Sequence, residues 1–164
     1  RYHSGPRHLS EIDQMTLEWA GCYRRYHAAM MRTVLIGEVT QQHQDMHSVA
    51  TQALKACEDA LIPGNTLGDV FLAHSNVMDR GGYRDHRLNA CGYTMGCAYA
   101  PIWVDYPMIF EGNSMVVEEN MVFFLHMIIM NRDSRLAMCP GHTVIVGSNG
   151  VERLSKTTLD LEVR

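Results

Sequence analysis

The carboxylate of Glu18 lies in apolar surroundings, between Leu17 and Trp19 of a predicted strand. A carboxylate in such a place is costly unless it is paired, so it serves either in catalysis or in an ion pair. As a nucleophile, a carboxylate splits one difficult reaction into two easier steps. The structural alternative is an ion pair with one of the local arginines, Arg24, Arg25 or Arg32.

The imidazole of His126 stands between Phe124 and Ile128 in a second apolar run. Histidine titrates nearest to neutrality and is therefore the most frequent general acid or base. A single histidine on an apolar strand is, however, more often a packed core residue. Both interpretations of His126 stay open at this point.

Aromatic and acidic residues are grouped further along the chain, as Tyr93, Tyr99, Trp103 and Asp105. Aromatic faces attract cations, and a carboxylate such as that of Asp105 can pair with a positive group. The group predicts a pocket for a cationic or amidinium-like ligand. A packed loop is the structural alternative.

A β-hairpin is predicted to position Glu18. Residues 14–21 and 23–38 read as two strands that are linked through Gly21 and Cys22. The second run contains Ala, Met and Arg, which also favour helix. Its β-branched end, Thr33-Val34, favours the strand.

Two helices are predicted next. Residues 40–62 carry an apolar stripe at helical spacing, with Thr40 as N-cap and Pro63-Gly64 as the stop. A second helix, from Thr66 to about residue 80, begins with a Thr66/Asp69 capping box.

The rest of the chain is predicted to be a long loop followed by strands. Residues 83–113 are rich in Gly, Pro and aromatic residues and read as an irregular functional loop. Residues 116–130, 135–147 and 150–155 read as strands. A hairpin, two helices, a loop and then strands predict an α+β fold.

Composition excludes several classes of function. The chain has 164 residues, enough for one domain or part of one, and a net charge of −4 without a basic stripe, which argues against nucleic-acid binding. No apolar run is long enough to span a bilayer, and no signal peptide is visible. The five cysteines are odd in number and form no CxxC pair, so a reduced cytoplasmic protein is predicted.

The order of the motifs resembles that of the creatinase/methionine-aminopeptidase superfamily, which has the pita-bread fold. The pair Arg32-Thr33, the turn at Pro63-Gly64, the segment from Gly92 to Gly96 and the run Gly141-His142-Thr143 match family motifs along nearly the whole chain. Five metal-ligand positions of the family carry these residues here: Glu18, Ala29, Tyr93, His126 and Gly141.

The substitutions at these positions bear on the cofactor. Ala29 and Gly141 offer no side-chain ligand, and tyrosine is an uncommon ligand for the divalent ions that the family holds. Two possible ligands remain, fewer than the three or more that catalytic sites use. The resemblance therefore predicts that the dinuclear metal centre is lost and that the protein has no metal cofactor.

Within the superfamily, creatinase works without metal, and the ectoine hydrolases resemble this chain in the run around Tyr26 to Thr33 and in the segment from Cys91 to Trp103. This resemblance implies a hydrolase that acts on C–N bonds of a small polar substrate. It gives Glu18 the role of nucleophile or substrate anchor and His126 that of acid–base group. The substrate-binding residues that it implies are Tyr93, Trp103, Asp105 and His142.

Rival readings of the same resemblance stay open. Residues 107–130 also resemble Xaa-Pro peptidases and dimethylsulfoniopropionate lyases, and a non-catalytic binding module is a further alternative. The resemblance implies a homodimer with a small-molecule substrate. It also predicts that residues 1–164 are the C-terminal portion of a catalytic domain whose N-terminal domain is absent from this chain. Whether the chain is itself an enzyme is left undecided.

Overall fold

A computed structural model describes residues 8–98 and 102–164. In chain order, the elements of this part are β1 (Asp13–Tyr23), β2 (Tyr26–Ile36), α1 (Gln41–Ala60), α2 (Leu67–Arg80), β3 (Ala90–Met95), β4 (Val104–Phe110), β5 (Val122–His126), β6 (Ile129–Asn131), β7 (Leu136–Met138), β8 (Gly141–Gly147), β9 (Gly150–Arg153) and β10 (Glu162–Val163).

Eight of the strands form one sheet. Its main path runs β1-β2-β8-β5-β3-β4, while β9 pairs with β8 and β10 pairs with β2. All of the pairs are antiparallel except that of β10 with β2, and β6 and β7 form a separate two-stranded sheet. The predicted α+β class is confirmed.

The predicted hairpin is confirmed, but its turn is not where the sequence placed it. Pairing of β1 with β2 continues to Tyr23 and Tyr26. The turn is therefore formed by Arg24 and Arg25, whose φ angles are 49° and 75°. Two-residue hairpin turns of this kind require positive φ, for which glycine or asparagine is the usual choice, so an Arg-Arg turn gives no sequence signal.

Both predicted helices are confirmed with their caps. Thr40 caps α1 by accepting from the backbone of His43, whose ring in turn accepts from the Thr40 backbone. Thr66 and Asp69 form the capping box of α2. Neither helix in the described part of the chain is long and apolar enough to cross a membrane.

The prediction of an irregular loop over residues 83–113 is wrong for part of that segment, because the segment contains β3 and β4. Gly92 of β3 lies so close to β5 that an added Cβ would be 2.5 Å from the carbonyl oxygen of Phe124. Glycine is therefore needed for strand pairing at a position where it reads as a loop residue. Pro107 lies on β4, an edge strand of the main path, where proline is tolerated.

The strand predicted over residues 116–130 is shorter than expected. Only Val122–His126 belongs to the main sheet, since the chain then leaves it and Ile129–Asn131 pairs in the smaller sheet. The strands predicted over 135–147 and 150–155 correspond to β7, β8 and β9.

Two apolar clusters lie on the sheet. The larger one packs α1 and α2 against the sheet. The smaller one, here called the inner-face cluster, consists of Ala29, Met31, Tyr93, Met95, Phe124, Ile128 and Cys139. None of the five cysteines forms a disulfide, and three of them are buried.

Candidate active site

A cavity of ≈ 550 Å³ opens beside the inner-face cluster. Its walls come from five strands of the main sheet, β1 to β5, and from the segments next to them. The lining residues are Glu18, Met31, Leu88, Ala90, Tyr93, Ile102, Trp103, Val104, Met108, His126 and Ile128. Four of the six predicted site residues are therefore together in one cavity.

Strand order explains why residues far apart in sequence meet here. Each of the five family ligand positions lies on its own strand, and the five strands are consecutive in the sheet. Across the sheet the order is Glu18 on β1, Ala29 on β2, Gly141 on β8, His126 on β5 and Tyr93 on β3. His126 and Gly141 are direct cross-strand partners.

Glu18 is half-buried in the cavity wall opposite Met31 of β2. Burial raises the pKa of its carboxyl group above the ordinary value. Within residues 8–98 and 102–164 it forms no hydrogen bond or ion pair. Arg32, a predicted partner, instead donates to the carbonyl oxygen of Gly141 at 2.7 Å. An unpaired carboxylate in this position is costly, which favours a functional role.

His126 lies deeper, with 5% of its surface exposed. Burial lowers the pKa of its imidazole to about 4, so the ring is neutral at physiological pH. Its centroid lies 5.7 Å from that of Tyr93 and 5.9 Å from that of Phe124. The buried Nδ1 has no hydrogen-bond partner in the part of the chain that the structure describes. A buried polar atom of this kind calls for a ligand, a water or a functional explanation.

Trp103 and Tyr93 form one wall together. The indole Nε1 of Trp103 donates to the Tyr93 hydroxyl over 3.0 Å. The indole also stacks on the ring of His27, with centroids 6.4 Å apart and planes inclined by 28°. Trp103 thus contacts both β2 of the hairpin and Tyr93 of β3.

Two predicted substrate-binding residues lie outside the cavity. Asp105 is half-buried on β4 but does not line the cavity, and its Oδ1 accepts from the backbone of Tyr106 over 2.9 Å. His142 is 1% exposed, and its Nε2 donates to Oε1 of Glu58 on α1 over 2.6 Å. Tyr99 lies outside the described residues.

Glu58 also binds Arg153 through both carboxylate oxygens, at 2.7 and 2.6 Å. Burial alone would raise the pKa of Glu58, but the hydrogen bonds from His142 and Arg153 outweigh it and hold the pKa at about 2. This network joins α1 to β8 and β9, so the surroundings of His142 are those of a structural residue.

The apolar residues of the cavity wall were not predicted from the sequence. Met31 lies two residues after Ala29 on β2, so strand alternation alone would have placed it on the same face. Val104 and Met108 lie on β4, within the segment that was predicted to be irregular. No sequence signal marked them as cavity residues.

Comparison with known proteins agrees with this geometry. Residues 1–152 match the protein family Peptidase_M24, described as metallopeptidase family M24. The chain belongs to this family. The predicted superfamily is thereby confirmed.

Relatives in the family differ in their named activities. The chain is 28% identical to an ectoine hydrolase of Halomonas elongata over 90% of its own length and 36% of that protein. It is 22% identical to an Xaa-Pro dipeptidase of Pyrococcus furiosus, over 94% of its length and 43% of that protein. The M24 chain thus spans well under half of each of these two relatives.

A solved structure shares the fold. A dipeptidase of Pyrococcus horikoshii OT3 superposes with a TM-score of 0.89 at 19% identity, covering 98% of this chain and 44% of the dipeptidase. The predicted pita-bread fold is confirmed.

Membership in M24 corrects the cofactor prediction. A divalent metal is the cofactor that a metallopeptidase family implies, so the prediction of no metal cofactor is wrong. Of the family ligand positions described above, Glu18 and His126 carry possible ligands, whereas the hydroxyl of Tyr93 already accepts from Trp103. No three His, Cys, Asp or Glu side chains within the described ranges are grouped to hold an ion. These residues alone do not complete a metal centre, and no catalytic step is derived through one.

Proposed function

We propose that the full-length M24 protein is a hydrolase that cleaves a C–N bond of a small polar substrate in this cavity. One observation carries the proposal: Glu18 and His126, two ionisable groups with unusual burial, line the same cavity. Groups whose pKa values are shifted by burial inside a cleft are candidates for catalysis. The relatives named ectoine hydrolase and Xaa-Pro dipeptidase support a hydrolytic reaction on a C–N bond.

Glu18 is assigned the nucleophilic role. In the first half of the reaction one of its carboxylate oxygens bonds to the carbon of the C–N bond. The nitrogen then leaves with the electron pair of that bond and takes up a proton from solvent. The product of this half-reaction is an acyl intermediate on Glu18.

His126 is assigned the role of general base in the second half of the reaction. Water adds to the acyl carbon and gives a proton to the imidazole, which is neutral because burial holds its pKa at about 4. The bond between the carbon and the Glu18 oxygen then breaks, which releases the acid and restores the Glu18 carboxylate, and the imidazolium returns its proton to solvent. Tyr93 and Trp103 orient the substrate against this pair, whereas Asp105 and His142 are left out of the proposed site.

The test is turnover by the full-length protein on a panel of amides, cyclic amidines and Xaa-Pro dipeptides. We expect Glu18→Gln to lower kcat by about a thousand-fold or more, as loss of a nucleophile does. His126→Asn is expected to lower kcat about a hundred-fold and to let mass spectrometry detect the acyl intermediate on Glu18. Glu119→Gln, which removes an exposed carboxylate elsewhere, is the matched control and should keep wild-type kcat.

Full activity of Glu18→Gln on every substrate that the wild type cleaves would contradict the assigned role. Absence of turnover on the whole panel would favour the non-catalytic binding module instead.

Family membership favours a second candidate, an Xaa-Pro dipeptidase that uses a divalent metal. Metal analysis of the full-length protein, with activity measured before and after a chelator, tests this second candidate. Dipeptide cleavage that is lost with the metal and regained on adding Mn²⁺ or Zn²⁺ would establish the second candidate. In that case Glu18 and His126 would be tested as ligands.

The predicted homodimer, the cytoplasmic location and the reading of residues 1–164 as the C-terminal portion of a catalytic domain belong to this proposal. Both relatives named above are longer than this chain, which supports its being a portion of a longer protein. Light scattering on the full-length protein tests the dimer, and a fluorescent fusion tests the location.

A further inference from the structure

We propose that Arg32 is a positioning residue of the site, which holds the hairpin that carries Glu18 in register with the part of the sheet that carries His126. This inference rests on the proposed function, because it takes Glu18 and His126 as the reacting pair. Arg32 does not line the cavity and acts through the backbone of residues that lie between the two.

Glu18 and His126 are connected by a single row of cross-strand neighbours. Glu18 of β1 pairs with Met31 of β2, and Met31 pairs with Gly141 of β8. Gly141 then pairs with His126 of β5. Directly opposite residues of paired strands lie on the same face of a sheet. The relative position of the two ionisable groups is therefore set by three strand pairings.

The pairing of β2 with β8, here called the β2–β8 joint, is short. In the described structure it consists of two residue pairs, Met30 with His142 and Met31 with Gly141, whereas five pairs join β8 to β5. Further along, β2 pairs with β10 instead. A short ladder supplies few backbone hydrogen bonds, so side chains must help to hold the hairpin in register.

Arg32 bridges the β2–β8 joint. Its Nη1 donates to the carbonyl oxygens of Met31 and Gly141, over 2.8 and 2.7 Å. These two residues are the middle members of the row. One nitrogen thus links the backbones of β2 and β8 at the point through which Glu18 is connected to His126.

The other donors of Arg32 bind the chain that follows β9. Nε and Nη2 donate to the carbonyl oxygen of Thr158 over 3.3 and 3.2 Å, and Nη2 also donates to that of Thr157 over 3.5 Å. These bonds together use all of the N–H donors of a guanidinium. Arg32 is buried, and within residues 8–98 and 102–164 it forms no ion pair. Its hydrogen bonds there go to backbone alone.

This geometry requires a guanidinium. Its planar fork directs several donors at once, so Arg32 can hold β2, β8 and residues 157–158 together. The ammonium group of a lysine is a compact point charge, which can satisfy one pair of these carbonyl oxygens but not all of them.

Thr143 supports the same joint. Its hydroxyl accepts from the backbone N–H of Ala29 over 2.8 Å and donates to the carbonyl oxygen of Ala29 over 3.0 Å. The hydroxyl thereby substitutes for ladder bonds next to the two residue pairs. Thr143→Val removes both bonds and keeps the shape of the side chain, so it is a second probe of the joint.

Loss of Arg32 should affect turnover more than binding. The proposed binding residues Tyr93 and Trp103 lie on β3 and just before β4, on the same side of the joint as His126. A shift of the hairpin therefore leaves them in place. Glu18 lies on the other side, and a misplacement of about 1 Å between reacting groups can lower a rate about a hundred-fold.

Steady-state kinetics of the full-length protein test the inference, on the substrate that the wild type cleaves fastest. We expect Arg32→Met to lower kcat about a hundred-fold and to change KM less than about three-fold. Arg32→Lys keeps the charge and part of the bonding, so its kcat should be about ten-fold above that of Arg32→Met. Arg84→Met removes an exposed guanidinium and should keep both constants.

Hydrogen exchange separates positioning from a general loss of stability. In Arg32→Met the amides of β1 and β2 should exchange at least about ten-fold faster, whereas those of α2 and β5 should stay within about two-fold of the wild type. If Arg32→Met does not fold, Arg32→Lys and Thr143→Val replace it. Both should show faster exchange in β1 and β2 and a kcat about ten-fold below the wild type.

Wild-type kcat in Arg32→Met, or in both Arg32→Lys and Thr143→Val, would overturn the inference. Faster exchange throughout the chain would also overturn it, because Arg32 would then serve general stability.

Failure of the proposed function gives a different result. If the wild type cleaves no substrate of the panel, the proposed function fails, and faster exchange confined to β1 and β2 still supports the role of Arg32. If Glu18→Gln abolishes turnover while Arg32→Met keeps it, the proposed function stands and the inference about Arg32 fails.

Discussion

The indole of Trp103 and the hydroxyl of Tyr93 are joined by a hydrogen bond of 3.0 Å. Trp103 precedes β4 and Tyr93 lies on β3, so the bond joins these two parts of the cavity wall. Since the Trp103 ring also stacks on His27 of β2, this one side chain contacts residues of both β2 and β3.

A double-mutant cycle on this pair should reveal their coupling. Tyr93→Phe removes the acceptor, and we expect it to lower the free energy of unfolding by about 1 kcal/mol because the Trp103 N–H loses its partner. Once Trp103→Phe is present, the same change should cost much less. Urea unfolding of the four proteins measures this, with the exposed Tyr106→Phe as control. Strict additivity of the two changes would show that the bond contributes nothing.

Stability should fall as the pH is lowered below neutrality, because two buried histidines resist protonation. Burial lowers the pKa of His126 to about 4 and that of His74 to about 3. The unfolded chain takes up protons near pH 6.5, so stability is complete above that value and is lost as the pH falls towards the folded pKa values. Each histidine is expected to cost about 2 kcal/mol between about pH 7 and about pH 5.

His126→Gln isolates the contribution of one of them. Urea unfolding of this variant should show a decrease between the two pH values that is smaller by about 2 kcal/mol than in the wild type. His8→Gln, at an exposed position, should leave the decrease unchanged. A decrease of wild-type size in His126→Gln would mean that His126 is protonated as readily in the folded protein as in the unfolded chain.

The network around Glu58 should be important for stability. Glu58→Gln leaves buried His142 and half-exposed Arg153 facing a neutral amide, and we expect a loss of about 3 kcal/mol, as when one partner of a buried ion pair is removed. Asp59→Asn is the neighbouring control. The side chain of Asp59 is 64% exposed and pairs only with Lys55 in the described structure. Its removal should cost less than about 1 kcal/mol, so similar losses in both variants would contradict the assigned importance of the network.

The neighbouring strand β5 leaves no room for a side chain at Gly141. A Cβ there would lie 2.7 Å from the Leu125 carbonyl oxygen and 3.1 Å from Cζ of Phe124. Gly141→Ala is therefore expected to destabilise the protein by about 1–3 kcal/mol. At Gly21 an added Cβ would have no atom within 4 Å, so Gly21→Ala is the matched control and should be close to neutral or slightly stabilising. Thermal unfolding of both variants measures the difference, and equal melting temperatures would contradict the predicted clash.

The helices and the hairpin were predictable because each carries a regular pattern. The stripe of α1 and the caps at Thr40 and Thr66 are local signals, which need no knowledge of distant contacts. The strands β3 and β4 lack such a signal. Their register shifts between Ala90 and Gly92 and again between Tyr93 and Met95, and these irregularities break the alternation that marks a strand.

Some residues of the site were predictable from local sequence patterns, and others were not. Glu18 and His126 stood out as ionisable groups in apolar runs, and both line the cavity. His142 follows Gly141 directly on β8, and successive residues of a strand face opposite sides of the sheet. Since Gly141 faces Phe124 of the inner-face cluster, His142 faces α1, and its partner Glu58 is 84 residues away in sequence. Asp105 similarly follows the cavity residue Val104.

The arrangement of one site position per strand has an evolutionary consequence. A side chain on one strand can be exchanged without altering the hydrogen-bond ladder, so the chemistry of the site can diverge while the backbone is inherited unchanged. The positions are not equally free to diverge, however. Glu18 is half-exposed and can be replaced by a single substitution, whereas any side chain at Gly141 requires β5 to give way as well. A side chain at Gly141 would therefore need a compensating change at Phe124 or in the backbone of β5.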